Sequence, residues 1–223
     1  MASAKRPRIV LIHAVQVAMA PIEAAFRDLW PLAERVNLLE DSLSVDRGAH
    51  AELTPAMFDR FDRLGQYARD IGADGILYTC SAFGPAIEKV ARDHAPLPVL
   101  KPNEAMFEAA LDAGDRIGLL ASFERSVPSM VAEFKELAAA KGRKAAIETV
   151  CEPRAMPALQ AGNAATHNAL LADAAAKLSD CDAVLLAQFS TSIAAPAVSA
   201  RLSCPVLTSP GSAVLKMKSL VRI

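Results

Sequence analysis

The sequence predicts an α/β chain of two similar halves, each a mostly parallel sheet flanked by helices. Three observations carry that expectation. Short apolar runs bounded by Gly, Pro or polar residues alternate with segments of helical periodicity. The order of those segments repeats once along the chain at a fixed offset. The composition is 52% hydrophobic but only 5% aromatic, an Ala-, Leu- and Val-rich mix that suits helices on a parallel sheet and excludes disorder.

Ile9 to Ile12 reads as the first strand, ending at His13-Ala14-Val15-Gln16. Pro21 opens a helix with apolar spacing at Ile22, Ala25, Phe26 and Leu29, and Trp30-Pro31 stops it. Val36 to Leu39 reads as a second strand, followed by a polar loop, Glu40-Asp41-Ser42-Leu43-Ser44. Thr54-Pro55 starts a helix to about Ile71 whose apolar stripe is Met57, Phe58, Phe61, Leu64 and Ala68.

The chain is organised around Asp74 to Pro85. The run Ile76-Leu77-Tyr78 reads as a buried parallel strand, and the small residues after Cys80 read as its turn into a helix ending near His94. Ligands of open α/β sheets bind at the carboxyl ends of strands, where Cys80 falls. Pro98-Val99-Leu100 is the next strand.

From there the plan starts again. Arg116-Ile117-Gly118-Leu119-Leu120 mirrors Arg8-Ile9-Val10-Leu11-Ile12 at an offset of 108, and Asp182 to Leu186 mirrors Asp74 to Tyr78 at the same offset. Pro205-Val206-Leu207 echoes Pro98-Val99-Leu100. The pattern predicts an internal duplication into two pseudo-symmetric domains of the Rossmann or flavodoxin type, with strand-end loops facing each other across a cleft that forms the active site. Position 80 then corresponds to Gln188, and the two side chains are expected to face whatever binds there.

Several function classes are excluded. A formal net charge of -1 gives no electrostatic reason to expect nucleic acid or an anionic membrane as partner. The four cysteines, Cys80, Cys151, Cys181 and Cys204, form no CxxC pair, and no His/Asp/Glu cluster has metal-ligand spacing, so no metal is expected. Neither GxGxxG nor GxxxxGK[ST] follows the first strand, which argues against a dehydrogenase or a phosphoryl transferase. The start lacks the apolar stretch of a signal peptide, and the expected location is the cytoplasm.

The duplicated halves, the run from Asp74 through Cys80 with Ser81-Ala82 behind it, and Arg116-Ile117-Gly118-Leu119-Leu120 resemble the cofactor-independent aspartate/glutamate racemase superfamily. That superfamily also includes hydantoin racemases, maleate isomerases and arylmalonate decarboxylases, and the resemblance covers nearly the whole chain. It implies a small carboxylate substrate, no cofactor and a homodimer or larger assembly. It also implies a first domain of residues 1–100 plus 210–223, carrying Cys80, and a second of 101–209, carrying Gln188. Members carry one cysteine at the strand end of each half. One removes a proton from the carbon next to a carboxylate, and the other returns a proton on the opposite face. Cys80 matches the first cysteine, and Ser81-Ala82 stand where Asn-Thr often follows. The second position is Gln188, followed by Phe189-Ser190-Thr191. An amide does not titrate near neutrality, so Gln188 is no acid or base.

Proton removal alpha to a carboxylate builds negative charge on an enediolate, so the site needs donors aimed at that charge and a base near the carbon. Backbone amides of the Ser81-Ala82-Phe83 turn supply donors at the start of a helix. Ser122, Ser190, Thr191 and Ser209 are hydroxyl donors at other strand ends, and Gln16 lies in the loop after the first strand. None of these turns holds Arg, so substrate charge is expected to meet amides and hydroxyls. Gln188 is either a substrate contact or a polar plug. Without a second thiol two routes stay open. In one, Cys80 alone protonates a carbanion made by loss of carbon dioxide or by rearrangement of a double bond. In the other, His13 is the second proton carrier, at the position where glutamate racemases place an Asp. A binding protein that has lost turnover is the third reading. Cys151, Cys181 and Cys204 read as structural, Lys101 as a surface residue, and His50, His94 and His167 as solvent-exposed.

Overall fold

The structure, a computed structural model, describes residues 6–50, 52–186 and 188–221. It divides into two units, Met1–Asn103 with Ala213–Ile223, and Glu104–Ser212.

The first unit runs β1 (Arg8–His13), α1 (Met19–Leu29), β2 (Glu34–Leu39), α2 (Ser42–Ala49), α3 (Pro55–Asp70), β3 (Gly75–Tyr78), α4 (Gly84–Asp93) and β4 (Val99–Leu100). Its sheet has the order β2-β1-β3-β4, with every pair parallel. β3 and the stretch of β1 between Arg8 and His13 are apolar, and these two strands take the central places, where both faces are covered. β2 mixes half-buried and exposed residues, with none fully buried, and lies at the edge. Thr54 caps α3 by accepting from the Met57 N–H, and Pro55 supplies the first-turn φ.

The second unit runs α5 (Glu104–Ala113), β5 (Arg116–Ala121), α6 (Val127–Ala140), β6 (Ala146–Cys151), α7 (Ala155–Gln160), α8 (Ala164–Ala175), β7 (Ala183–Leu186), α9 (Ala195–Ser199) and β8 (Val206–Thr208), and α10 (Ser209–Leu220) starts in it and from Ala213 on belongs to the first unit. Its parallel sheet, β6-β5-β7-β8, repeats the order of the first. The repeat extends to a tether between strand starts. The Asp74 carboxylate accepts from the Arg8 N–H at 2.8 Å, and Asp182 accepts from the Arg116 N–H at 2.9 Å. Those N–H donors, with the one on Asp115, hold the Asp182 carboxyl below the usual carboxylate range.

The end of α10 returns to the first unit. Lys218 Nζ donates to the Leu29 carbonyl at 3.2 Å, and buried Met217 sits where a Cβ on Gly75 would lie only 2.5 Å from its sulfur. Among the described residues no helix is long and apolar enough to cross a membrane.

Two expectations need correction. The polar segment after β2 is not a loop throughout: Ser42–Ala49 forms α2, which buries Leu43 alone and so carries almost no apolar stripe. His94 and His167 are buried, at 5% and 0% exposure, because each lies on the packed face of its helix or helix end.

Candidate active site

Cys80 follows β3 and caps the short 3-10 turn Ser81–Phe83 that leads into α4. The register Ile12↔Tyr78 sets Cys80 level with Ala14, so the loops after β1 and β3 are neighbours at the carboxyl end of the sheet. An aromatic stack anchors the turn from below. Buried Phe83 and Tyr78 lie against Phe61, with ring centroids 4.7 and 5.0 Å away, and the Tyr78 hydroxyl donates to the Phe61 carbonyl at 3.0 Å. Ser81 and Ala82 are exposed beside the half-buried thiol, and Gln16 is exposed in the turn after β1.

Burial pushes the Cys80 thiol up, while the Ala82 N–H and the Arg47 guanidinium pull it down. The balance stays above the ordinary thiol, so the resting form is S–H. Arg47 comes from the last turn of α2, and its Nε donates to the Ala82 carbonyl at 3.2 Å. The helix that carries it is moored by Arg60 of α3, which pairs with Glu40 and Asp46 on either side of the start of α2. A cation therefore borders the thiol, supplied by α2 and not by the Ser81–Phe83 turn that follows Cys80. The turns themselves gave no sign of it, since its position depends on the path of α2.

His13 is fully buried at the end of β1. Its Nε2 lies 2.9 Å from Asn37 Oδ1 and its Nδ1 lies 2.8 Å from Thr79 Oγ1. Asn37 Nδ2 donates to Glu23 at 2.8 Å, and Arg35 donates to the other oxygen of that carboxylate at 3.1 Å. Desolvation lowers the affinity of His13 for a second proton, against the opposing pull of Asn37 and Glu23. Both ring nitrogens are thus engaged within the sheet.

The second unit builds the equivalent place differently. Gln188 Oε1 accepts from the N–H and the hydroxyl of Ser122, each at 3.2 Å, and Nε2 donates to Ser126 Oγ at 2.5 Å. The Thr191 backbone also donates to the Gln188 side chain, and Thr191 Oγ1 bonds back to the Gln188 N–H and carbonyl. The amide stitches the loop after β5 to the turn after β7. Ser122 and Thr191 are buried, Ser190 is half-buried, and Ser209 is buried at the start of α10. Lys101 pairs with Glu88 at 2.7 Å. Among the described residues no three His, Cys, Asp or Glu side chains gather as metal ligands.

Solved structures share this architecture across both units. An aspartate racemase homologue from Pyrococcus horikoshii matches with a TM-score of 0.75 at 14% identity, covering 97% of this chain and 99% of its own. A Gly74Cys mutant of arylmalonate decarboxylase, in a sulfate-associated form, matches at 0.72 and 20% identity, covering 96% and 93%. Allantoin racemase from Klebsiella pneumoniae matches at 0.69 and 18%, covering 96% and 87%. The chain has the fold of these racemases and decarboxylases. No protein-family profile matches the sequence, and no curated protein matches it by sequence.

Proposed function

We propose that this chain is a cofactor-independent enzyme that moves a proton at the carbon alpha to a carboxylate of a small acid, with Cys80 as its acid/base. The observation that supports this most is a thiol at the carboxyl end of a central strand, contacted by a backbone N–H and bordered by a guanidinium. In the isomerase or racemase direction the Cys80 thiolate takes the alpha proton and the electron pair moves into an enediolate. The thiol then returns a proton, to the far end of the conjugated system in an unsaturated acid or to the alpha carbon itself, and inversion there requires the enediolate to turn its other face to Cys80. Arg47 and the exposed N–H groups of the Ser81 turn would receive the charge that builds on the carboxylate oxygens. The fold neighbours include enzymes named for racemisation and decarboxylation, which fits this class of chemistry.

A second reading, a lyase, draws on two particular observations. Gln188 cannot exchange a proton, and the Cys80 thiol rests as S–H. In a substituted malonate the bond from the alpha carbon to one carboxylate breaks, carbon dioxide leaves, and the electron pair stays as an enediolate on the other. A protonated Cys80 is the group needed to deliver a proton to that carbon.

The test is incubation in deuterated water with small amino, hydroxy and unsaturated carboxylates and substituted malonates, followed by proton NMR beside Cys80→Ala. Loss of the alpha signal in wild type and its persistence in the variant supports isomerisation. Carbon dioxide release with deuterium incorporation selects the lyase. Thermal stabilisation by a carboxylate without any turnover overturns both in favour of a binding protein.

A further inference from the structure

We propose that His13 is a positioning residue for Cys80, a neutral imidazole that fixes the Thr79 hydroxyl and through it the residue that carries the thiol. This rests on the reading of Cys80 given above.

Donor and acceptor chemistry determines the tautomer. Asn37 uses its Nδ2 on Glu23, so it presents a carbonyl oxygen to His13, and a carbonyl oxygen only accepts. The proton therefore sits on Nε2. Nδ1 is left as an acceptor, and the Thr79 hydroxyl donates to it at 2.8 Å. The other acceptor near that hydroxyl, the Ile12 carbonyl, is farther away at 3.4 Å. Thr79 is also fixed by its own N–H, which donates to the Ile12 carbonyl at 3.0 Å. One peptide bond later comes Cys80. A line of hydrogen bonds from α1 through β2 and β1 to β3 thus ends beside the thiol. The charged groups that face His13 are Glu23 and, behind it, Arg35.

A proton carrier needs one ring nitrogen open to the reacting carbon, whereas both nitrogens of His13 point into the sheet. The duplication gives an internal control. In the second unit Ala121 stands in place of His13, Thr149 in place of Asn37 and Val131 in place of Glu23, and there the strand end carries Gln188 rather than a thiol. The polar line occurs in the unit that has a thiol to aim.

The experiment compares His13→Gln with His13→Leu, and Thr79→Ser with Thr79→Val, by the rate at which iodoacetamide alkylates Cys80. Mass spectrometry of the Cys80 peptide follows the reaction across the alkaline pH range, with thermal unfolding as the fold control. Glutamine keeps one donor and one acceptor but cannot titrate. His13→Gln and Thr79→Ser are expected to retain the wild-type rate and pH midpoint. His13→Leu and Thr79→Val are expected to change the rate by about tenfold, and the double variant to be no worse than either alone. An unchanged rate in both apolar variants overturns the proposal, as does a glutamine variant that behaves like leucine while folding normally. If His13→Leu does not fold, Thr79→Val, which loses only the hydroxyl, carries the same reading. Alkylation needs no turnover. A Cys80→Ala protein that retained activity would sink the proposed reaction and leave this result standing.

Discussion

The two units close their central strands on the same backbone and fill it with opposite chemistry. In the first, Cys80 and its turn rest on an aromatic stack, a cation reaches over from α2, and a polar line runs behind from exposed Asn37 to buried His13 and Thr79. In the second, one amide, which does not titrate, takes up the donors of Ser122 and Thr191. Gln188 and Cys80 are both extended residues at the N-cap of a 3-10 turn, with ψ of 154 and 119°, so the same station on the scaffold carries different side chains. A duplicated scaffold can thus keep a reactive group at one strand end and use the other for cohesion, because each strand end is held by its own local contacts.

The largest effect expected from breaking this asymmetry is on turnover. Cys80→Ala should lower alpha-proton exchange or decarboxylation by about 10²–10⁴-fold while leaving the urea midpoint nearly unchanged. Gln188→Ala should do the reverse. Its turnover should hold to within a few-fold, and stability should fall by about 1–3 kcal/mol as the stitched donors lose their acceptor. Equal losses of activity from both substitutions would place Gln188 in the reaction.

The next effect concerns anchoring. Phe83 is fully buried against Phe61, and Phe83→Ala should cost about 3–5 kcal/mol and release the Cys80 turn with it. The second unit has Thr191 at the corresponding place, held by hydrogen bonds, and Thr191→Val should cost about 1–2 kcal/mol. Chemical denaturation of both variants measures the difference between an apolar and a polar anchor.

Much of this was legible in the sequence because strands buried on both faces read as unbroken apolar runs. Ile9 to Ile12 and Ile76 to Tyr78 showed themselves, and their echoes 108 residues on exposed the duplication. The place of Cys80 followed from the strand before it. What stayed hidden depends on contacts between distant residues. α2 buries one apolar side chain and gives no periodic signal, so the approach of Arg47 to the Cys80 turn could not be foreseen. His13 stood out as a residue at a strand end. Its partners come from the parallel register with β2 and β3, which places Asn37 and Thr79 beside it, and no local pattern encodes that register.

A smaller change is expected from Arg47. Arg47→Met removes the cation that favours the thiolate, so the Cys80 alkylation midpoint should move further up in pH and the rate at pH 8 should fall about three- to tenfold. Arg47→Lys keeps the charge without the fork and should fall between. A midpoint that stays in place in Arg47→Met would remove the cation from the account of the thiol.

The finest contrast is in stability against pH. Folding holds His13 neutral, below the value near 6.5 of an imidazole in the unfolded chain. As pH drops below about 6.5 the unfolded chain takes up a proton that the folded one refuses, so the equilibrium shifts towards unfolding. The contribution of His13 is fully present above that pH and is lost as pH falls through the lowered folded value. Ala121 occupies the matching place in the second unit and has nothing to titrate. His13→Gln should therefore lose this share of the acid sensitivity and keep what the carboxylates contribute. In urea titrations from pH 7 down to 5 the wild-type midpoint should fall more steeply than that of the glutamine variant, and the curves should run parallel above pH 7. Parallel curves over the whole range would mean that the folded chain protonates His13 as readily as the unfolded one. Nδ1 would then carry a proton and donate to Thr79, and the hydroxyl would turn to the Ile12 carbonyl.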